Sequence, residues 1–437
     1  LDEPPRPDRP APLSDGDLPA LFAGLGGRRG LVLAVSGGSD SLALLHLFAR
    51  WRDGLAGTVG AVPPAVVATV DHRLRPEAAA EAEMVAEAAR ACGLAHATLV
   101  WDGDKPSADL QAAARAARYR LLAAFARNNG LDTVVTAHTR DDQAETLLMR
   151  LAHGSGLAGL AAMRPARPLE GDVVLLRPLL GVDRDALRAR LAADGMAWIE
   201  DPSNADPRFA RPRLRTLAAP LAAAGLTPAA LATAARRLAR ADAAIEAATD
   251  ALAATAMSRH AGGFATLDLA ALATAPEEVA LRLVARTVGA VGGEPYGPRL
   301  ERLERLWDEL QPVTGSARVR RTLGGAVVDV RGSIAFVHRE PGRRGLPSLP
   351  LAPGGTLAWD GRFRAGLSRA APSGVTIAAL GTGARAAVGP VGERLPAAVL
   401  ATVPAAFAGG ALVAVPAFDV FPDAVWRGLV HIELRAS

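Results

Sequence analysis

Cysteine and lysine are almost missing from this 437-residue chain. The single cysteine, Cys92, has no intrachain partner for a disulfide and no neighbouring thiolates for a zinc or iron–sulfur site, so a cytoplasmic protein in a reducing compartment is expected. Lys105 is the only lysine, and it follows Asp-Gly-Asp. A Walker A loop needs a lysine after its glycines to reach the phosphates, so P-loop NTPase chemistry is excluded. Nearly all the cations are therefore arginines, yet 49 basic side chains against 45 acidic ones leave a formal net charge of only +4. That balance alone does not point to nucleic acid. The longest uncharged stretch, Leu395 to Phe418, is broken by Pro396, Pro404, Gly409, Gly410 and Pro416, so no membrane span is expected. The proline-rich start, LDEPPRPDRP, lacks a basic region followed by an apolar core, and no secretory signal is expected.

Half of the residues are apolar, enough for a large core, and the length calls for more than one domain. From Leu31 to about Arg215, β-branched runs (31–35, 65–70, 96–100, 132–137 and 173–179) alternate with helical stretches. This predicts an α/β domain over residues 1–215, a parallel sheet with helices on both faces. The Ala-rich stretch after Pro220 predicts a helical middle domain, 216–346. Its long helix starts at Thr227 and Pro228, and it ends in a β-meander, RVRRTL-GG-AVVDVR-GS-IAFVHRE. Pro347, Pro350 and Pro353 mark a linker to a mainly β region, 347–437.

The strongest chemical signal is the strand LVLAV followed by Ser36-Gly37-Gly38-Ser39-Asp40-Ser41 and an apolar helix. Paired glycines let backbone amides approach an anion, hydroxyls add donors, and the helix N-terminus supplies a favourable dipole. Asp40 would repel a bare phosphate, so its useful role is to hold Mg²⁺ against phosphate oxygens. The next strand runs into VDHRLR, where His72 could meet a nucleotide and Arg75 a phosphate; alternatively Asp71 caps a helix and the arginines are solvated. Gln111, Arg115 and Arg118 share one helix face, suited to the ATP triphosphate or an RNA backbone, or simply to water. In AHTRDDQAETLLMRL, Thr139 and Asp142 read as a capping box. Asp142 and Glu145 are also neighbours on one face, and two such carboxylates suit an ammonium group. EDPSNADPRFARPRLR gathers Arg208, Arg211, Arg213 and Arg215 into an anion-binding loop or a solvated linker.

The hexapeptide resembles the pyrophosphatase loop of the N-type ATP pyrophosphatases. Together with VDHRLR, HTRDDQAETLLMRLAHGSGLAGLAAM, RPLL and DPSN with its spaced arginines, it resembles the tRNA(Ile)-lysidine synthetase family. The resemblance implies an adenine-nucleotide hydrolase-like fold, with ATP on Ser36, Gly37, Gly38, Ser39, Asp40, Ser41 and His72, and Mg²⁺ at Asp40. It implies free L-lysine held by Asp142 and Glu145, catalysis involving Asp40, Arg118, His138, Asp142, Glu145 and Arg211, and tRNA(Ile) with a CAU anticodon as partner. One departure is Pro212, where the family usually has Asn after the arginine. The lysine amine must lose a proton, and Asp142, Glu145 and His138 are all open as acceptors. Candidate tRNA contacts are Arg208, Arg213 and Arg215, with Arg318, Arg320 and Arg321 of the meander, whose arginines alternatively form a solubilising face. Whether the chain forms a homodimer is left open. Thiolase relatives use paired cysteines, which Cys92 alone cannot supply.

Overall fold

A computed structural model describes residues 13–55, 62–103, 105–106, 109–200, 208, 210–293, 298–310, 319–381 and 383–435. Arg318 and the DPSN stretch (201–204) lie outside the described residues. The chain divides into two compact units, Leu1–Asp242 and Ala243–Ser437.

The first unit is built on a six-stranded sheet of order β3-β2-β1-β4-β6-β5. Its strands are β1 (Leu31–Ala34), β2 (Ala65–Asp71), β3 (Ala95–Val100), β4 (Thr133–Val135), β5 (Ala166–Glu170) and β6 (Val173–Leu176). The helices are α1 (Ser39–Gly54), α2 (Ala78–Ala91), α3 (Leu110–Asn128), α4 (Arg140–Ala152), α5 (Arg184–Ala193) and α6 (Ala210–Thr216). All neighbouring strands pair in parallel except β5, which runs antiparallel to β6. Side chains alternate across the sheet. Leu31 and Leu33 therefore enter one core with Leu44, Phe48, Val85 and Leu187, while Val32 and Val134 enter another with Tyr119 and Leu122. Burial on both faces is what makes these strands nearly continuous apolar runs. Because β1 lies between β2 and β4, successive crossovers leave it toward opposite sides, opening a crevice at the strands' carboxyl ends.

Strand β5 was not anticipated from the sequence. Pro168 and its exposed neighbours hide it, and both are tolerated because it is an edge strand. The fourth expected strand, 132–137, is shorter, at Thr133–Val135.

Helix α7 (Pro228–Ala256) begins as expected, with the Thr227 hydroxyl accepting from the Ala230 amide at 3.1 Å. In the second unit, β7 (Met257–Arg259), β8 (Ala265–Asp268), β9 (Arg320–Leu323), β10 (Ala326–Arg331) and β11 (Ile334–Arg339) form an antiparallel sheet of order β7-β8-β11-β10-β9. The meander is thus extended by an unanticipated β7–β8 hairpin. Helices α8 (Glu277–Gly292) and α9 (Leu300–Leu310) cover one face of this sheet, packing Val284, Val288 and Trp307 with Val328 and Val337.

Two smaller antiparallel sheets follow. One orders β12 (Leu349–Leu351), β15 (Val375–Ala379), β16 (Pro404–Ala408) and β17 (Ala411–Ala414); the other orders β13 (Thr356–Trp359), β14 (Phe363–Leu367) and β18 (Val430–Leu434). The proline-marked linker is corrected here, since Leu349–Leu351 pairs with Val375–Ile377 as a strand. Pro350 is accommodated because β12 is an edge. No helix among the described residues is long and apolar enough to cross a membrane.

Candidate active site

At the carboxyl ends of β1, β2 and β4 lies a cavity of about 940 Å³, lined among others by Ser36, Gly38 to Ser41, Asp71, His72, Arg118, His138, Asp142 and Arg184. Its floor is the turn between β1 and α1. Gly37 has φ +88°, a left-handed conformation that disfavours any side chain, and a Cβ there would meet Ile199 Cδ1 at 2.7 Å. Gly37 itself does not line the cavity; it makes the turn, and its carbonyl accepts from the Ile199 amide at 3.0 Å. A Cβ on Gly38 would meet no protein atom within 4 Å, so the backbone there is open to a ligand. The Ser41 hydroxyl accepts from the Ser36 amide at 3.1 Å and donates to the Gly38 carbonyl at 2.9 Å, bracing the loop. Helix α1 starts at Ser39 with no side-chain cap, leaving first-turn amides for an anion.

Asp40, Asp142 and Glu145 are brought together by one residue the sequence reading missed, Arg184. Its Nε donates to Asp40 Oδ2 at 2.9 Å, one Nη donates to Asp142 Oδ1 at 3.0 Å, and the other is 3.5 Å from Glu145 Oε1. The guanidinium is only 15% exposed. A cation in the first turn of a helix opposes the helix dipole, and Arg188 shares its face four residues on. Those two facts were the available signal in the sequence. Arg188 also lines the cavity and reaches the Ser39 hydroxyl at 3.3 Å.

Asp142 serves as both helix cap and ion-pair partner of Arg184. Its Oδ2 accepts from the Thr139 amide at 2.8 Å, completing the anticipated capping box, while Oδ1 faces Arg184. Burial raises the Asp142 pKa, but Arg184 first, then the Thr139 amide, with Arg211 adding to them, outweigh it and hold the carboxyl ionised. For Asp40 burial wins, and its pKa rises despite Arg184. Glu145 lies behind the wall, with Arg215 Nε at 2.7 Å from Oε1 and Arg211 Nε at 3.7 Å from Oε2. Arg215, a candidate tRNA contact, is therefore placed on Glu145 beside Arg211. Oε2 is buried without a hydrogen-bond partner among the described residues, with Arg211 its nearest cation.

His138 lies at the end of β4, with Nδ1 2.9 Å from the Thr136 hydroxyl. Burial, reinforced by Arg177, Arg115 and Arg118 and opposed by Asp142, pushes its pKa down to about 3. It is a neutral imidazole at neutral pH. The His72 pKa is also lowered, by burial and then by Arg118; its Nδ1 is buried without a partner among the described residues, and its ring meets Trp101 edge-on. Asp71 Oδ1 accepts from the Arg73 amide at 2.7 Å, closing a local turn. Arg75 lines the cavity and forks onto Glu81. Of the remaining candidates, Arg208 and Arg213 join through a 3.2 Å hydrogen bond outside the cavity. In the second unit Arg320 and Arg321 are exposed, and Arg321 pairs with Glu309 at 2.7 Å.

Residues 17–222 match the PP-loop domain family. The tRNA(Ile)-lysidine synthase of Methylobacterium nodulans is 50% identical over 327 residues, 74% of this chain and 94% of that protein. The chain belongs to the tRNA(Ile)-lysidine synthase family. The Rhodopseudomonas palustris enzyme of the same name is 49% identical, covering 74% of this chain and 94% of its own. The Brucella suis enzyme is 40% identical and covers 94% of this chain and 90% of its own. Family likeness therefore extends beyond the PP-loop domain.

Proposed function

We infer that this protein forms lysidine in tRNA(Ile) at the expense of ATP, ligating L-lysine to C2 of the wobble cytidine of a CAU anticodon. The observation that carries the reading is the meeting, around one cavity, of the open-backed loop with Asp40, His138 and Asp142, and with Glu145 behind them through Arg184, in a chain of this family.

A cytosine carbonyl oxygen is a poor leaving group, so ATP must first adenylylate O2, releasing pyrophosphate; lysine then displaces AMP. The Ser36 hydroxyl, the Ser39 hydroxyl and the first amides of α1 would hold the phosphates, while Ser41, whose hydroxyl and amide both donate to the Gly38 carbonyl, would shape the loop around them. The all-oxygen donor at Asp40 suits Mg²⁺, which is commonly held by one or two carboxylates plus phosphate oxygens, so no all-protein cage is required. Bound there, the ion would neutralise charge on the departing pyrophosphate. Asp142 and Glu145 would orient the ammonium group, with Glu145 Oε2 an unfilled acceptor that Arg211 and Arg215, which line the cavity, would have to uncover. With its pKa near 3, His138 is a poor proton acceptor and better suited to hydrogen-bonding as a neutral ring, which favours a carboxylate as base. Extrusion of the target base from the anticodon loop would give it access to the cavity.

Incubation with ATP, labelled lysine and a CAU-anticodon transcript should place label in the RNA and release pyrophosphate. Folded protein that does neither refutes the assignment.

A further inference from the structure

Three guanidinium groups surround the buried ring of Tyr119. Arg115 and Arg118 come from α3 and Arg167 from the edge strand β5, with guanidinium carbons 5.2, 5.3 and 5.1 Å from the ring centroid. No carboxylate pairs with any of the three among the described residues. Nearby Arg127, by contrast, pairs with Glu170 at 3.1 Å. Arg177, a fourth cation acting on Tyr119, is 4% exposed, its Nη1 donating to the Arg164 carbonyl at 2.6 Å. Cations gathered this closely repel, and the ring's negative face offsets only part of the repulsion. Burial is the largest single influence on Tyr119 and raises its pKa, yet Arg115, Arg118, Arg177 and Arg167 outweigh it and draw the phenol down. The local field is therefore positive and uncompensated.

We propose that Arg115, Arg118 and Arg167 on Tyr119 form a receptor for backbone phosphates of the RNA strand leading into the cavity. The proposal rests on the reading of tRNA as substrate. Position distinguishes an RNA strand from ATP as the source of those phosphates. The loop that faces a triphosphate follows β1, whereas β5 is separated from β1 in the sheet by β4 and β6. Arg118 lines the cavity, while Arg115 and Arg167 do not. A cation cluster with one member in the cavity lining and two outside it can hold successive phosphates of a strand that enters the cavity.

The test is binding of a CAU-anticodon tRNA to the full-length protein over a range of salt concentrations. In the double variant R115Q/R167Q, loss of two phosphate contacts should reduce the slope of log affinity against log salt by about 1.4, at roughly 0.7 per single-strand phosphate. Affinity should fall about tenfold near 0.1 M salt, with ATP affinity unchanged. R115K/R167K, which keeps both charges, should keep the slope. If the double variant fails to fold, R167Q on the edge strand carries the same test with a change of about 0.7. An unchanged slope in the glutamine variants, or a loss confined to ATP affinity, overturns the proposal. Wild-type protein that binds no tRNA would instead overturn the substrate reading.

Discussion

Replacing Arg184 by methionine removes the only charged group among the described residues that touches Asp40, Asp142 and Glu145 together. These carboxylates are 21%, 10% and 9% exposed, so water screens them poorly once the cation is gone. Removing one partner of a buried, hydrogen-bonded ion pair typically costs about 3–5 kcal/mol. Arg211 and Arg215 still serve Glu145, which places the expected loss for R184M toward the lower figure, about 3 kcal/mol at pH 7.5. The pH dependence gives the sharper check. The Asp142 pKa is depressed in the folded protein, so its pairing stabilises the fold above the unfolded value of about 3.9 and is lost as pH falls through the folded value. In R184M the carboxylates lose that support and their pKa values rise, so protonation relieves them earlier. The gap between wild type and variant should therefore shrink on going from pH 7.5 to 5. Urea unfolding at both pH values, with hydrogen exchange read on residues 140–152, measures it. A gap below about 1 kcal/mol that does not change with pH would refute the reasoning, because that is how a solvent-screened surface bridge behaves.

Asp40→Ala should abolish pyrophosphate release while leaving tRNA affinity nearly unchanged, measured by pyrophosphate assay and filter binding; turnover near the wild-type rate would contradict the role given to Asp40. Glu145→Gln should raise the KM for lysine far more than that for ATP, in steady-state titrations of each substrate; parallel shifts would mean that Glu145 only braces Arg211 and Arg215. His138 is held neutral by burial, so its contribution to stability is present above the unfolded histidine pKa of about 6.5 and is lost as pH falls toward about 3. Ring NMR signals of His138 should show no protonation between pH 8 and 5, and titration near 6.5 would show that the imidazole is solvated.

Local physics made part of this protein legible from sequence alone. The turn Ser36 to Ser41 could be read because glycine at positive φ, a preceding apolar strand and a following helix are all encoded within a few residues. The Thr139–Asp142 cap and the Thr227 start of α7 were legible for the same reason, since each bond spans three residues. The meander followed from alternation and glycine turns. Arg184, by contrast, meets Asp40 across 144 residues, and Arg215 meets Glu145 across 70. The sequence can mark Arg184 as out of place in a first helix turn, but it names the partner in neither pairing, because a guanidinium looks solvated until the sheet delivers its carboxylates. Strand β5 stayed hidden because an edge strand need not alternate and can carry Pro168; with it went Arg167, whose meeting with Arg115 and Arg118 over Tyr119 exists only once β5 is in place. Sequence determined which groups could do chemistry. Tertiary structure decided which of them share a charge environment, because only packing removes the water that would otherwise screen them from one another.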